Sequence, residues 1–529
     1  MSTTREAFDN PKAVEQQSND VELEGLTLYQ KKSVLINREL DAMGMGRYQW
    51  MIFLLCGFGY LLDLLWAQAF GLIASPLQQE LGFSETEIGN IFTSFSAGLT
   101  AGAFVWGVLV DIVGRRWAFN FTVLCASIFG LCLGAPDTYD AILVLTAFTG
   151  FGIGGNIPID TTITLEFLPQ NRRYLLATLS VFQPIGVVVC SGIAYGFIPS
   201  HSCASDLKSC KLVASGEPCC TKASNYGWRY LTFTLGAITI FIFLLRFVVF
   251  RFQESPKFLL YRGQDEQAVK VVQHVAKVNK RPCNLTTEML EALTDDTSSN
   301  TSSSSTGVLI LGSGTRQSST TFREKLNLEF QRYKLLFSSF TIARLTVLVW
   351  IIYAFDYWGF TIAGSYLPTV LLKKNAALGI GIRETYRDYV YIYLFGIPGV
   401  ALGAIMYRGR WLGMLISSLL MGASLFIFAA VDSEATYIGI NGMEYFFQSM
   451  FNAILYGWTP ENFPAPIRGT ACGVASFWGR LFSIVSPLIA AHVLVQSTNG
   501  VLYLAGAGVF VSSVAIALLP RKIIGEQSY

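Results

Sequence analysis

Residues 107–116 read Gly107-Val-Leu-Val-Asp111-Ile-Val-Gly114-Arg115-Arg116, and a related stretch later in the chain reads Gly403-Ala-Ile-Met-Tyr-Arg408-Gly409-Arg410. A second pair of stretches recurs in the same way: Glu166-Phe-Leu-Pro-Gln-Asn-Arg172 and Glu461-Asn-Phe-Pro-Ala-Pro-Ile-Arg468. Both pairs are 295 residues apart (409 − 114 and 461 − 166). Two motifs with one shared offset indicate a duplicated unit, and such repeats place a substrate path between the two halves.

Apolar segments flank each of these motifs. A transmembrane helix needs about 20 mostly apolar residues, and twelve segments have this character: Trp50–Ile73, Ile88–Val110, Trp117–Gly134, Ala141–Ile163, Leu175–Ile198, Leu231–Phe250, Leu345–Leu367, Tyr389–Tyr407, Trp411–Ala430, Ala435–Tyr456, Gly469–Val493 and Val501–Leu519. The sequence therefore predicts an all-α membrane protein with twelve transmembrane helices, six in each half.

The composition excludes several other classes of protein. Of 529 residues, 52% are apolar and 14% are charged, whereas globular proteins have about 25% charged residues. There is too little charge to cover two or three soluble domains. A net charge of +2 also argues against a disordered chain and a nucleic-acid-binding domain. The lipid bilayer is the predicted environment.

The chain divides into five regions by composition. We predict a polar cytosolic N-terminal tail (1–49), a first six-helix half (50–250), a cytosolic linker (251–338), a second six-helix half (339–519) and a short cytosolic C-terminal tail (520–529). The linker is predicted to contain an amphipathic helix around Asp265–Lys277. It continues into the Ser/Thr-rich stretch Asp295–Thr321, which has too little apolar surface to fold.

Lysine and arginine in the short loops set the predicted orientation. Basic residues concentrate on the side that carries both termini, for example at Arg172 and at Arg521 and Lys522. Two loops on the opposite side, Ser200–Tyr226 and Lys373–Arg387, are basic exceptions. The asymmetry favours both termini in the cytosol, and no secretory signal peptide precedes the first segment. Among membranes, the plasma membrane is favoured over the vacuole.

The motifs resemble those of a known family. The stretch Gly107…Asp111…Gly114-Arg115-Arg116 is similar to the loop signature of the major facilitator superfamily. Glu254-Ser-Pro-Lys-Phe-Leu259 resembles a motif of its sugar, phosphate and organic-ion porters. The glycine-rich stretch from Gly150 to Asp160 is most similar to fungal members related to the synaptic-vesicle-glycoprotein-2 branch. The resemblance implies a transporter with two pseudo-symmetric six-helix halves.

The cytosolic motifs are predicted to form a gate. Helix-end dipoles and ion pairs among charged side chains can hold the inner face closed, with Glu166–Arg172 and Glu461–Arg468 as candidate partners. The alternative is that the arginines only fix topology. Met406 stands where the second copy would have the equivalent of Asp111, so the gate is expected to be asymmetric. The gate residues are Gly107, Asp111, Gly114, Arg115, Arg116, Glu166, Arg172, Glu461 and Arg468.

Acidic residues inside the apolar segments are candidate proton carriers. A charge at bilayer depth costs about 2.5–3.5 kcal/mol on insertion scales, so it marks a functional site by default. Asp63 and Asp356 lie in the first and seventh segments, 293 residues apart (356 − 63). In the phosphate porters that the chain resembles, acids in these segments perform coupling. A third acidic position of that family aligns with Asn156, with Asp160 one turn further on, and this departure argues against phosphate as the solute.

Each candidate has a structural alternative. Asp63 and Asp356 can instead pair with a buried arginine, and Asp160 can be a solvated helix cap. Arg480 can pair with an acid or a substrate anion, or only pack. Polar and aromatic residues that face the path either bind the solute or join helices. The predicted proton and substrate path comprises Asp63, Asn156, Asp160, Gln183, Asp356, Tyr357, Asn452 and Arg480.

Cysteines, histidines and glycines complete the candidate sites. Cys203, Cys210, Cys219 and Cys220 lie in one outer loop and are predicted to form two disulfides, with Cys219 and Cys220 not joined to each other and the connectivity open. With three histidines, no histidine metal cluster is expected. The glycines at 150, 152, 154 and 155 favour close helix approach over phosphate binding, because no strand precedes them.

These features predict a secondary transporter rather than an enzyme. The lead prediction is proton-coupled symport of a small polar or anionic solute by a monomer, without a cofactor and without a nucleic-acid partner. One alternative is an exporter of metabolites or drugs, although the antiporter signature of the fifth segment is not clear in Gln183-Pro-Ile-Gly186. The other is a nutrient receptor that keeps the fold and transports little.

Overall fold

A computed structural model describes residues 28–172, 175–204, 207–214, 216–250, 252–293, 333–463 and 468–519. Within these ranges the regular secondary structure is helical, apart from one isolated β-bridge between Ser209 and Cys220. The helices are α1 (Leu28–Met43), α2 (Arg47–Leu81), α3 (Ile88–Val113), α4 (Arg115–Cys132), α5 (Tyr139–Ile153), α6 (Asn156–Phe167), α7 (Leu175–Thr178), α8 (Phe182–Phe197), α9 (Gly227–Leu244), α10 (Pro256–Tyr261), α11 (Asp265–Asn279), α12 (Thr287–Glu291), α13 (Phe340–Ala377), α14 (Ile382–Leu394), α15 (Gly396–Ile405), α16 (Arg410–Ala430), α17 (Glu434–Glu461), α18 (Arg468–Gln496) and α19 (Thr498–Ala517).

Ten helical segments in the described ranges are long and apolar enough to cross a membrane. Two further long helices, α4 and α17, occupy the third and tenth predicted segments but are less apolar. The first turn of α4 carries Arg115 and Arg116, and α17 carries buried polar side chains, among them Glu444 and Gln448. Together they give the predicted twelve-helix, two-half architecture.

Two helices extend well beyond their predicted apolar segments. Helix α2 continues to Leu81 and α13 continues to Ala377, each ending close to a glycine with positive φ, Gly82 (+72°) and Gly379 (+75°). Hydropathy marks only the part of a helix that lies in hydrocarbon, whereas the helix itself runs on until the backbone is interrupted.

Helices pack mainly within their own half of the chain. The most extensive pairs are α3–α5 in the first half and α13–α19 in the second, while α3–α18 and α8–α14 connect the halves. These contacts belong to one compact unit, formed by the described residues within 51–165, 174–252 and 328–529.

Glycines allow the close approach of α3 and α5. A Cβ atom added at Gly154 would lie 2.1 Å from the carbonyl oxygen of Leu99, and one added at Gly98 would lie 1.9 Å from that of Ala147. At Gly150 the nearest atom would be the carbonyl oxygen of Phe95, at 2.5 Å. The prediction that the Gly150–Gly155 glycines serve helix packing is confirmed for Gly150 and Gly154.

A second compact unit consists of the described residues within 1–50, 166–173 and 253–327. The N-terminal region predicted as a tail contains α1, and the linker contains α10, α11 and α12. The amphipathic helix predicted around Asp265–Lys277 is confirmed as α11. An ion pair between Lys32 and Asp265 joins α1 to α11. The Ser/Thr-rich stretch 295–321 and the C-terminal tail 520–529 lie outside the described residues.

Candidate functional site

A cavity of about 130 Å³ lies among helices from both halves. Its walls come from α2, α3, α6 and α8 in the first half and from α13, α14, α17 and α18 in the second. Its polar and charged lining residues are Asp63, Gln68, Ser96, Gln183, Asp356, Tyr357, Thr361, Ser365, Tyr393, Tyr445, Gln448, Asn452, Tyr456, Arg480 and Ser483. Both halves thus supply groups that can bind a solute.

Two carboxylates reach this cavity from equivalent helices. Asp63 lies near the middle of α2 and Asp356 near the middle of α13, with exposed fractions of 9% and 2%. In the described part of the chain, neither carboxylate lies within 4.0 Å of a basic nitrogen. Oδ1 of Asp356 also lacks a hydrogen-bond partner there. The predicted alternative of an ion pair with a buried arginine is therefore not the arrangement of either residue in this structure.

Arg480 is the cationic group of the cavity lining. Its guanidinium Nη1 donates to the carbonyl oxygen of Leu99 at 3.3 Å, across from α18 to α3. Arg480 also interacts electrostatically with Asp63. The arginine thus connects α18 of the second half to the backbone of α3 in the first half.

Tyrosines surround Asp356. The hydroxyl groups of Tyr456 and Tyr357 lie 3.3 Å apart. The centre of the Tyr353 ring lies 6.3 Å from the ring centre of Tyr357 and 6.2 Å from that of Tyr456. Tyr353 donates to Oγ1 of Thr459 at 3.1 Å, which fixes its ring. Tyr357 and Tyr456 thus line the same cavity as Asp356.

Amide side chains on α17 line the part of the cavity wall that the second half supplies. Gln448 and Asn452 lie four residues apart on α17, so they share one face of the helix. Nε2 of Gln448 and Oδ1 of Asn452 are buried and have no hydrogen-bond partner among the described residues. Gln183, predicted on the path, also lines the cavity. These groups can exchange hydrogen bonds with a polar solute.

Two predicted path residues, Asn156 and Asp160, lie outside the cavity lining. Asp160 is fully buried, and its Oδ2 lies 3.5 Å from Nη2 of Arg246. A solvated cap, the alternative predicted for Asp160, is excluded by this burial. Asn156 is likewise fully buried, and neither polar atom of its amide has a hydrogen-bond partner in the described ranges.

Sequence reasoning missed several buried charges. Glu444 is 3% exposed, and it lies one turn before Gln448 on α17. The spacing of Glu444, Gln448 and Asn452 by four residues is a signal that would have found it. Glu80 was also missed because it lies beyond the predicted apolar segment. It accepts from Nη1 of the fully buried Arg229 at 2.8 Å.

The structure describes only part of the predicted gate. Gly114, with φ of +108°, connects α3 to α4, and Arg115 Nη1 donates to the Val110 carbonyl oxygen at 3.5 Å. Glu461, expected to pair with Arg468, forms an ion pair with Arg410 of the same half. Glu166 is half-buried in the last turn of α6, and Arg172 is exposed. Gly107 lies on α3 and Arg116 on α4. The side chains of Asp111 and Arg468 lie outside the described residues.

The loop 200–226 contains two disulfides. Cys203 is joined to Cys220, and Cys210 is joined to Cys219, so the adjacent cysteines have different partners. The loop is held against the end of α2, where Oγ of Ser209 donates to the carbonyl oxygen of Glu80 at 2.7 Å. In the described ranges, no group of three or more His, Cys, Asp or Glu side chains is placed to hold a metal ion.

The chain is similar to known membrane transporters. A family model described as Major Facilitator Superfamily matches residues 56–487. The chain is 35% identical over 511 residues to "MFS siderochrome iron transporter 1" of Ceriporiopsis subvermispora, covering 95% of this chain and 92% of that protein. It is 24% identical over 513 residues to the "Synaptic vesicle 2-related protein" of Bos taurus, covering 93% and 82%.

Solved structures of similar fold include an inward-open conformation of the xylose transporter XylE from E. coli. The TM-score is 0.63 at 13% sequence identity, with 89% of this chain and 96% of that chain covered. At this identity the likeness concerns the fold.

Proposed function

Because the chain belongs to the Major Facilitator Superfamily of transporters, we propose that it is a secondary transporter that moves a small polar solute together with protons by alternating access. The observation that carries this proposal is the pair Asp63 and Asp356. These acids occupy equivalent positions in the two halves, line one cavity and lack an ion-pair partner within 4.0 Å in the described part of the chain. Acids at bilayer depth are expected to have a function.

Asp63 is the proposed coupling residue. When Asp63 is ionised, it attracts Arg480, which lines the same cavity from α18, and this attraction is strong where the dielectric constant is low. Protonation of the carboxyl group removes that attraction. The two protonation states therefore favour different separations of the halves, which is the requirement for linking proton movement to a two-state conformational equilibrium.

Contacts on the predicted outer side support alternating access. Lys373 at the end of α13 pairs with Glu85 before α3 at 2.8 Å, and the Tyr386 hydroxyl donates to the carbonyl oxygen of Leu72 at 2.8 Å. Each contact joins one half of the chain to the other. Rotation of the halves would break these contacts and open the cavity to the outside.

The names of similar proteins describe different solutes. One relative is named for siderochrome iron, and one solved neighbour is described as a proton:xylose symporter. Neither name identifies the solute of this chain, and the proposal of proton coupling rests on its own two acids. Export and a receptor role with little transport are the alternatives that an experiment must separate.

Reconstitution in liposomes tests the proposal. Proteoliposomes with a trapped pH dye would be given pooled sugars, organic acids, phosphate and amines. We expect one pool to drive proton movement in the wild type and not in Asp63→Asn. The exposed Asp140 provides a matched control, since Asp140→Asn removes a carboxylate outside the cavity. Binding without flux would favour a receptor, and solute movement against the proton flow would favour an exporter.

We further propose a plasma-membrane protein with both termini in the cytosol. The Lys/Arg distribution supports this orientation. The disulfides of the loop 200–226 also support it, since disulfides persist on an oxidising face. Epitope tags at the two ends, probed in intact and permeabilised cells, test the orientation; staining of intact cells would contradict it.

A further inference from the structure

We infer that the solute carries a positive charge, an organic cation held between the carboxylate of Asp356 and the rings of Tyr357 and Tyr456. This inference rests on the proposed transport function and narrows its substrate class. It concerns the part of the cavity wall that α13 and α17 supply.

The charges around the cavity are not balanced. The charged residues of its lining are Asp63, Asp356 and Arg480. Two carboxylates thus line the cavity with one guanidinium group, whose Nη1 donates to the Leu99 carbonyl oxygen at 3.3 Å. Asp356 then remains without compensation, and Glu444, one turn before Gln448, adds a further buried acid behind the lining. The surplus is negative, which disfavours the anionic solute that the sequence allowed.

Asp356 is a buried carboxylate that lacks a cationic partner in the described structure. Its side chain is 2% exposed and lines the cavity, yet Oδ1 has no hydrogen-bond partner among the described residues. A buried carboxylate without a partner is costly, and such groups are normally paired. Within the described structure no protein cation lies within 4.0 Å of it. A cationic group on the solute supplies the missing charge.

The surroundings of Asp356 suit an organic cation rather than a small hydrated ion. Tyr357 and Tyr456 line the cavity with their hydroxyl groups 3.3 Å apart, and Phe360 lies one turn after Asp356 on α13 and lines the same cavity. Cations bind over aromatic faces within about 6 Å of the ring centre, and quaternary ammonium groups are recognised in this way. Oδ1 of Asn452, which lacks a partner in the described ranges, is a further acceptor in the same wall.

The two acids thus have separate tasks. Asp63, which faces Arg480, responds to protons, whereas Asp356 binds the solute. Removal of the Asp356 carboxylate should therefore weaken binding of the solute itself, even where no flux is measured. This division makes the inference testable independently of transport.

Equilibrium binding to purified, intact protein in lipid nanodiscs provides the test. The probes are radiolabelled choline and tetraethylammonium, with dimethylbutanol, the uncharged carbon isostere of choline, as competitor. We expect a probe cation to bind and dimethylbutanol to compete at least about tenfold more weakly than unlabelled choline. Asp356→Asn should weaken cation binding about tenfold or more, the range for a charge-assisted contact. Asp356→Glu should restore part of it, and Asp140→Asn, which lies outside the cavity lining, should leave it within about threefold.

The outcomes separate the two proposals. Cation binding that depends on Asp356 but is accompanied by no flux in proteoliposomes would support the inference and contradict the transport function. Proton-coupled flux of a neutral or anionic solute by a protein that binds neither cation would overturn the inference and leave the transport function intact. Binding that survives in Asp356→Asn, or that is lost equally in Asp140→Asn, would also overturn it. Thermal unfolding without ligand verifies that each variant is folded.

Discussion

Nη2 of Arg246 lies 3.5 Å from Oδ2 of Asp160, and both side chains are fully buried. The same nitrogen donates to the Leu55 carbonyl oxygen at 2.7 Å, and Nη1 donates to that of Phe119 at 3.3 Å. The guanidinium group also lies 3.9 Å from the centre of the Phe119 ring. One arginine thus connects α2, α4 and α6, and Asp160 is better explained as its counter-ion than as part of the path.

Breaking this pair should destabilise the first half. Removal of one partner leaves an uncompensated buried charge, so Asp160→Asn and Arg246→Met should each lower the free energy of unfolding by about 3–5 kcal/mol. The double variant Asp160→Leu/Arg246→Met removes both charges and should be more stable than either single variant. Thermal unfolding in detergent measures the effect. A stable Asp160→Asn protein that has lost transport would instead place Asp160 on the path.

The sequence predicts the helices better than it predicts their polar contacts. Hydropathy identifies the twelve segments because each helix must be apolar where it meets lipid. The position of Asp63 and Asp356 in matching helices likewise predicts that both reach the cavity. The partner of Asp160 is not predictable in this way. Arg246 lies near the end of an apolar segment, where arginine usually extends to the interface, and only the packing of α2, α4 and α6 turns it inward.

The contact between α3 and α5 should not accept a side chain at Gly154. The Cβ of Gly154→Ala would lie 2.1 Å from the Leu99 carbonyl oxygen, which belongs to the backbone and cannot rotate away. Overpacking of this kind costs about 1–3 kcal/mol, measured as a lower unfolding temperature. Gly192→Ala is the matched control, because no atom lies within 4 Å of its added Cβ. Equal stability of the two variants would contradict this packing.

The disulfides of the loop 200–226 should contribute to stability. Cys203 and Cys220 are separated by 17 residues, and closure of a loop of about 15 residues is worth about 3 kcal/mol in the chain-entropy model. The double variant Cys203→Ser/Cys220→Ser should therefore unfold at a lower temperature, and reductant should have a similar effect on the wild type. Cys132→Ser, at a free cysteine, is the control. Labelling of all ten cysteines by a maleimide in unreduced, denatured protein would show that the disulfides are absent.

Acid should weaken the ion pairs of Asp137. Its hydrogen bond with Lys222 lowers the pKa of the carboxyl group, with a further contribution from Arg229. A lowered folded-state pKa contributes stability above the unfolded value of about 3.9, and this contribution is lost as the pH falls through the folded value. In Asp137→Asn, the unfolding temperature should thus fall less steeply with decreasing pH, below about pH 5, than it does in the wild type. Lys222 and Asp137 are exposed, so the effect should be below about 1 kcal/mol, and Asp140→Asn should keep the wild-type slope.

The ion pair of Lys373 with Glu85 should stabilise the state that is closed to the outside. Oε1 of Glu85 lies 2.8 Å from Nζ of Lys373, and the two residues belong to different halves. Charge reversal in Glu85→Lys or Lys373→Glu replaces attraction with repulsion, which should favour outward opening by about 1 kcal/mol, a factor of about five in population. The double reversal restores opposite charges and should return the equilibrium towards the wild type.

A cysteine at the cavity wall reports this equilibrium. Ser365 lines the cavity, so Ser365→Cys should react with a membrane-impermeant thiol reagent from outside only when the outer side is open. We expect faster labelling in each single reversal than in the double reversal, after subtraction of labelling in the protein that lacks the reporter. Because the pair is partly exposed, high salt should reduce the differences. Identical labelling rates in all variants would show that this ion pair does not contribute to closure, and closure would then depend on apolar packing and on the hydrogen bond from Tyr386 to Leu72.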